Sequence, residues 1–204
     1  MRSQGVKNRR PTRHPRPEPA VLAAVLLAAC ATAPKQPPPG RHGGADLYVC
    51  GGMTVANAPP TDRAGRIAGF EPAAEIRGRL LARAPVAGCL SSGYGVRPAT
   101  GRLHQGIDLY TGEPSPVYAA AGGDVEFAGD LGSYGRTLLI RHGSGVKTRY
   151  AHLSAFARDV RVGATVRAGQ MIAETGRTGN ATAVHLHYEI IVDGRTENPL
   201  TVGE

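Results

Sequence analysis

The 204-residue chain contains no tryptophan, and aromatic residues make up only 5% of it. Glycine and proline are frequent by comparison, with 28 and 16 residues respectively. Glycine supplies positive φ angles and proline fixes φ, so both residues favour tight turns. The composition therefore argues against a helical bundle and favours short strands joined by turns.

The chain also lacks an apolar run of the roughly 20 residues that a membrane-spanning helix needs. Its N-terminal apolar stretch, 20–29, has ten residues and follows a basic segment. Residues 1–29 hold six basic side chains and a single acidic one, Glu18. A basic segment followed by a short apolar run is typical of an export signal, so we expect residues 1–29 to be a signal peptide.

The net charge of +8 does not indicate a nucleic-acid-binding protein. Residues 1–29 carry +5 of this charge, which leaves +3 for the rest of the chain. After residue 30 the sequence shows no basic helix, no zinc-finger spacing and no aromatic RNA-binding stretch. We expect no nucleic acid partner, and a weakly cationic chain is instead attracted to an anionic cell-wall polymer.

The apolar run ends in Leu27-Ala28-Ala29-Cys30, which resembles a bacterial lipobox. In such a motif the signal is cut before the cysteine, and acyl chains on the thiol hold the new N-terminus on a membrane. We therefore expect lipidation at Cys30 and a location in the cell envelope, in the periplasm. Ala31 is not the acidic residue associated with inner-membrane retention in enteric bacteria, which favours the outer membrane.

Cys50 and Cys89 are the two remaining cysteines. An oxidising periplasm allows such a pair to form a disulfide. The sequence does not set the distance between them, so a disulfide and two free thiols are about equally well supported.

Residues 30–68 are rich in proline, glycine and small residues, and we expect them to form a flexible tether. A short helix is predicted over 69–84, because a rough apolar stripe runs through 71–84 and Pro85 ends it. The stripe consists of Ala74, Ile76, Leu80, Leu81 and Ala84.

Residues 85–204 change to short apolar stretches separated by glycine turns. These stretches predict strands at 124–128, 137–141, 147–153, 160–162, 171–173 and 184–192. Their close spacing predicts an all-β domain built as an antiparallel sheet or sandwich.

Three of the seven histidines are set aside by their position in the signal, in the tether and at an exposed Gly-Ser-Gly turn: His14, His42 and His142. The other four lie in the strand-rich region: His104, His152, His185 and His187. These four are the candidates for a functional site.

His185 and His187 form the most informative pair. Side chains at i and i+2 of a strand project from the same face, so the two imidazoles lie side by side. A solvated strand face would also explain this pair. His104 and Asp108 form a second polar pair, which Gly106 places in a loop rather than a helix and which alone would fit a surface loop.

Together the two pairs provide three or four nitrogen and oxygen ligands and no thiolate. Catalytic zinc commonly uses three such protein ligands and leaves a fourth position for water. His152 adds another imidazole, although a half-buried structural histidine would fit its strand as well. A serine hydrolase is disfavoured because the chain has no Gly-x-Ser-x-Gly motif.

Four ordered motifs resemble those of the M23 (LytM/lysostaphin-type) zinc metallopeptidases: Ser91-Ser92-Gly93-Tyr94-Gly95-Val96-Arg97, His104-x-x-x-Asp108, Tyr150-Ala151-His152-Leu153 and His185-Leu186-His187. The resemblance covers about residues 86–200. It implies an antiparallel β fold of the duplicated hybrid motif type with one zinc ion in a groove. It also implies that His104, Asp108 and His187 bind the metal and that His152 and His185 are catalytic. Family members cut peptide bonds in peptidoglycan.

Two alternatives to an enzyme remain. A non-catalytic module that activates a cell-wall amidase would present the same groove, but such relatives typically lack the metal ligands, and here all five expected positions are filled. A purely structural envelope lipoprotein would leave the histidines unexplained. We therefore expect a zinc endopeptidase that acts on peptidoglycan cross-links or stem peptides. D,D bonds are favoured over glycine bridges, and dependence on an envelope protein partner is left open.

Overall fold

The structure, a computed structural model, describes residues 46–203. These residues lie in the second of the two units into which the chain divides, residues 36–204. The predicted signal peptide, Cys30 and the first part of the predicted tether lie outside the described residues.

Fifteen strands, labelled β1 to β15 in chain order, account for nearly all regular structure in residues 46–203. They are Ala73–Ile76, Arg79–Ala82, Cys89–Ser92, Gly95–Val96, Leu103–His104, Ile107–Tyr110, Pro116–Tyr118, Gly123–Asp130, Arg136–Gly143, Val146–Ala151, Leu153–Phe156, Thr165–Val166, Met171–Thr175, His185–Val192 and Arg195–Glu197. A single turn of 3₁₀ helix, Gly132–Tyr134, joins β8 to β9.

The largest sheet has the strand order β12-β8-β9-β10-β14-β6-β3, and β15 also pairs with β14. A second sheet has the order β11-β13-β7, while β1 with β2 and β4 with β5 form two-stranded sheets. All of these pairs are antiparallel. The predicted all-β fold is confirmed.

The interior strand β14 is buried on both faces over most of its length. Leu186, Tyr188 and Ile190 are fully buried in the apolar core on one face. His187 and Glu189 alternate with them and project from the opposite face. A slip of one residue would turn the apolar side chains out of the core, so the core fixes which polar side chains reach the other face.

Residues 73–82 form the β1–β2 hairpin, so the predicted short helix over 69–84 is wrong. Arg77 and Gly78, between the two strands, both have positive φ, 53° and 71°. Positive φ at both central residues is the geometry of a two-residue hairpin turn and interrupts any helix. Leu80, which belonged to the predicted apolar stripe, is 46% exposed.

Residues 46–68, predicted to be the end of a flexible tether, instead pack on the domain. Leu47, Cys50 and Ile67 are buried. Cys50 is disulfide-bonded to Cys89 at the start of β3. A few apolar side chains and one covalent bond are sufficient to hold the segment on the domain. The overall glycine- and proline-rich composition does not reveal such local contacts.

Two smaller expectations also differ from the structure. His142 lies within β9 and is buried rather than exposed at a turn; its Nδ1 donates to the carbonyl oxygen of Gly122 (2.9 Å) and its Nε2 is 2.7 Å from the Thr148 hydroxyl. Residues 160–162, predicted as a strand, form part of the turns that precede β12.

Replacing both Cys50 and Cys89 with serine is expected to lower the free energy of unfolding by about 4 kcal/mol. The bond joins residues separated by 39 positions, and removing such a cross-link returns loop-closure entropy to the unfolded chain. Urea unfolding of wild type and variant measures the difference. A reductant should weaken the wild type to a similar extent and leave the variant unchanged; equal stability of the two proteins would contradict the prediction.

Candidate metal centre and active-site cleft

Asp108 and His187 face each other across two neighbouring strands. They are direct partners in the β6–β14 register, where opposite side chains lie on the same face of the sheet. Asp108 Oδ1 lies 2.8 Å from His187 Nδ1. The pairing of the two strands therefore brings together two residues that are 79 positions apart in the chain.

His104, at the end of β5, completes the cluster. Its Nε2 lies 3.1 Å from Asp108 Oδ1 and 3.1 Å from His187 Nδ1. Gly106 permits this turn of the chain, because a Cβ there would lie 2.2 Å from the carbonyl oxygen of Tyr188. Two nitrogens and one carboxylate oxygen thus converge, and His104 and His187 are both buried.

Each imidazole of the cluster is oriented by a hydrogen bond at its other nitrogen. His104 Nδ1 donates to the carbonyl oxygen of Gly93 (2.7 Å), which leaves the lone pair of Nε2 facing the cluster. His187 Nε2 donates to Glu189 Oε1 (3.0 Å), which leaves Nδ1 facing the cluster. Such acceptors select the tautomer and ring orientation of metal-binding histidines.

Glu189 and Asp108 are themselves held by cations. Glu189 is fully buried and accepts from Arg149 Nη1 (2.6 Å) and from the Tyr134 hydroxyl (2.7 Å). The second oxygen of Asp108, Oδ2, accepts from Arg97 Nη2 (2.9 Å). The arginines compensate the cost of burying two carboxylates and fix their rotamers.

The three converging donors fit a divalent metal ion. Ligands placed about 2.0–2.1 Å from zinc at tetrahedral angles lie roughly 3.3 Å from one another, close to the spacing of these donors. The set contains no thiolate, and His104, Asp108 and His187 form a group with the separations that a metal ion requires. Two imidazoles and a carboxylate leave one tetrahedral position open for water or substrate.

The electrostatics of the cluster favour a cation between the donors. Burial alone would raise the pKa of Asp108, but the interactions of this carboxylate with His104 and His187 outweigh burial and hold its pKa well below its usual range. Burial alone would lower the pKa of His187, but its bonds to Asp108 and Glu189 raise that pKa to about 9. A bound metal ion would supply the positive charge that a proton on His187 otherwise provides.

His152 and His185 lie together beside the cluster, with ring centroids 4.8 Å apart. His152 Nδ1 donates to the carbonyl oxygen of Thr178 (2.9 Å), and His185 Nδ1 donates to that of Ala183 (2.8 Å). Each ring therefore presents an unprotonated Nε2 in its neutral form, and His185 Nε2 lies 3.7 Å from Asp108 Oδ1.

His152 carries two further marks of a functional residue. Its φ angle of 59° lies in the left-handed region, which non-glycine residues seldom adopt and which is concentrated at active sites. Burial, the largest influence, lowers its pKa to about 4. His152 is therefore neutral at pH 7 and able to accept a proton.

All five histidine and aspartate side chains line one open cleft of about 420 Å³. Its walls come from loops on several elements and include Arg97, Leu103, Gln105, Ser133, Tyr134, Asn180 and Thr182. The metal-ligand cluster lies in the lining of this cleft, together with His152 and His185.

Sequence reasoning left the acceptor for His187 unidentified, and the structure assigns it to Glu189. A signal for it was present, because Glu189 continues the alternation of His185 and His187 on one face of a strand whose other face is apolar. Its partner Arg149 lies directly opposite on β10. A charged residue at an inward strand position needs such a partner.

The match to known families agrees with this site. Residues 102–199 match the model of peptidase family M23. A DD-carboxypeptidase/endopeptidase, Mpg, of Neisseria meningitidis serogroup B is 45% identical over 112 residues, which are 54% of this chain and 25% of the relative. The chain thus spans about a quarter of the length of this curated relative.

Solved structures show the same relationship. A zinc-containing peptidase from Vibrio cholerae superimposes with a TM-score of 0.55 at 33% identity, over 64% of this chain and 46% of that one. The catalytic domain of lysostaphin from Staphylococcus simulans gives 0.51 at 32% identity, over 55% of this chain and 89% of that domain. Fold and site define a metal-dependent peptidase architecture. The chain belongs to peptidase family M23.

Replacing Glu189 with glutamine is expected to lower zinc affinity by about 10–100-fold, since outer hydrogen-bond partners of metal ligands have effects of this size. Competition with a chromogenic chelator measures the affinity. Glu126→Gln is the matched control, because Glu126 pairs with Lys147 on the surface (2.7 Å) away from the cleft. Similar affinities for both variants would contradict the role of Glu189.

Zinc binding at pH 7.5 is expected to release about one proton. The pKa of His187 is raised to about 9, so the ion must displace the proton that this residue holds below that pH. Apparent affinity should therefore rise as pH increases towards 9. Calorimetry in two buffers of different ionisation enthalpy counts the protons, and a count of zero would exclude a protonated His187.

Proposed function

We propose that this protein is a zinc-dependent endopeptidase that hydrolyses peptide bonds in peptidoglycan. One observation carries the proposal: three oriented donors, His104 Nε2, Asp108 Oδ1 and His187 Nδ1, converge within 3.1 Å beside two further imidazoles in an open cleft. A purely structural domain has no need for five such side chains at one place.

His104, Asp108 and His187 would hold the zinc ion. When bound, zinc polarises a carbonyl group and lowers the pKa of a coordinated water towards neutrality. Arg97 and Glu189 keep the ligands in place through their hydrogen bonds to Asp108 and His187.

His152 and His185 would move the protons of the reaction. Both rings donate from Nδ1 to a backbone carbonyl, which directs the basic Nε2 towards the cleft. One Nε2 accepts a proton from the attacking water, and the other, once protonated, donates to the departing amine or stabilises the developing negative charge. The backbone bonds hold both rings in orientation throughout.

Peptidoglycan is the substrate class that the comparisons support. The Neisseria relative is named as a DD-carboxypeptidase/endopeptidase, and peptide bonds between D-configured centres occur in the cross-links of peptidoglycan. We therefore favour D,D cross-links over glycine bridges. Digestion of purified sacculi with the zinc-loaded protein, followed by mass identification of the fragments, distinguishes the two bonds.

We further propose that the protein acts in the periplasm, anchored by lipid at Cys30 and facing the wall from the outer membrane. The lipobox-like sequence and Ala31 support this location. The Cys50–Cys89 disulfide suits an oxidising compartment. Within residues 46–203, no helix meets the length and apolarity needed to cross a membrane. Labelling of cells with a fatty-acid analogue, comparing wild type with Cys30→Ala, tests the anchor.

Replacing His152 or His185 with alanine is expected to lower the rate of peptide hydrolysis by about 10²–10⁴-fold while zinc remains bound. General acid–base catalysis contributes a factor of this size. His104→Ala should instead remove both zinc and activity. Zinc content by elemental analysis and release of soluble fragments from sacculi are measured on the same samples.

The pattern across the three variants is the decisive result. Full activity of His104→Ala would indicate a contaminating hydrolase. Absence of activity in a wild type that binds zinc would favour a binding module that acts through another wall enzyme.

A further inference from the structure

Residues 46–57, here called the arm, extend the largest sheet beyond β3. The backbone N–H of Leu90 donates to the carbonyl oxygen of Tyr48 (2.8 Å), and that of Cys50 donates to the carbonyl oxygen of Leu90 (3.0 Å). The disulfide to Cys89 fastens this pairing at the start of β3. The arm therefore occupies the edge of β3 opposite to β6, the strand that carries Asp108.

The arm then contacts the loop that follows β3. The N–H of Gly93 donates to the carbonyl oxygen of Ala56 (2.8 Å). A Cβ on Gly93 would lie 2.1 Å from the carbonyl oxygen of Asn57, so the two backbones are in direct contact. Asn57 has a φ of 55°, a left-handed conformation that asparagine tolerates and that turns the chain at this contact.

Gly93 is held by the arm through its N–H and holds His104 through its carbonyl oxygen. The carbonyl oxygen of Gly93 accepts from His104 Nδ1 at 2.7 Å. Ser92, the preceding residue, pairs with Asp108 in the β3–β6 register, and its hydroxyl is 3.3 Å from the same His104 nitrogen. A displacement of this loop would rotate His104 Nε2 away from the other two donors.

We propose that the arm is a positioning element of the metal centre, which fixes the Gly93 carbonyl and through it the ring of His104. The proposal rests on the proposed function, since it takes the ion to be zinc. The arm lies outside residues 102–199, which match the family model. A merely stabilising arm would alter unfolding without altering the affinity of the folded protein for zinc.

Two substitutions at one position in the full chain test the proposal. Asn57→Pro cannot adopt a φ of 55°, because the proline ring holds φ near −65°. Asn57→Gly keeps the positive φ and removes only the side chain. We expect Asn57→Pro to weaken zinc binding about 10-fold or more and Asn57→Gly to stay within about twofold of wild type, measured by chelator competition.

Val166→Ala controls for general destabilisation. Val166 is buried on β12, at the opposite edge of the same sheet, so its truncation should lower thermal stability without changing zinc affinity. A weakening in Val166→Ala equal to that in Asn57→Pro would overturn the proposal, because stability alone would then explain both. Zinc affinity of folded Asn57→Pro equal to that of wild type would overturn it directly.

The double variant Cys50→Ser/Cys89→Ser supplies the test if Asn57→Pro does not fold. It removes the covalent bond that fastens the arm to β3, and weakened zinc binding by the folded protein supports the proposal. Unchanged binding contradicts it. A wild type that binds no zinc would refute the proposed function and this proposal together, whereas a wild type and variant that bind zinc equally would refute the arm's role alone.

Discussion

Asp108 lies between two imidazoles on the floor of the cleft, within 3.1 Å of both His104 and His187. A buried carboxylate is costly unless it is paired, and this one is balanced by its contacts with the two imidazoles and by a hydrogen bond from Arg97. The same compensation makes the position suitable for a divalent cation. Arg97, Glu189 and the carbonyl oxygen of Gly93 hold these donors in place.

Both faces of the largest sheet help to fix the positions of the metal-ligand side chains. On the core face, the apolar side chains of β14 fix the register of the strand. On the opposite face, His187 and Glu189 occupy alternate positions. Glu189 is itself held by hydrogen bonds from Arg149 on β10 and from Tyr134 in the 3₁₀ turn. Three segments distant in sequence therefore restrict one imidazole ring, which is the arrangement that preorganised sites require.

The sequence predicts much of the site and less of its surroundings. His185 and His187 could be placed on one strand face because strand periodicity is local, and the ordered M23 motifs supplied their partners. The pairing of His187 with Asp108 is set by the register of two distant strands, which no local pattern contains. The β1–β2 hairpin was missed because its apolar residues also fit the apolar stripe of a helix. Only the backbone conformation of Arg77 and Gly78 distinguishes the hairpin from a helix. The packing of residues 46–68 depends on a disulfide whose geometry the sequence does not specify.

The arm affects where the boundary of this domain should be placed when it is joined to other proteins in a chimaera. A boundary drawn at the start of the family match, near residue 102, would separate the ligands from Gly93 and from the segment that lies behind it. A chimaera that inherits only the matched region would receive the five histidine and aspartate side chains of the cleft without Gly93 and the arm. Under the role proposed for the arm, a crossover upstream of the disulfide-linked segment keeps the metal centre of this chain together with its support.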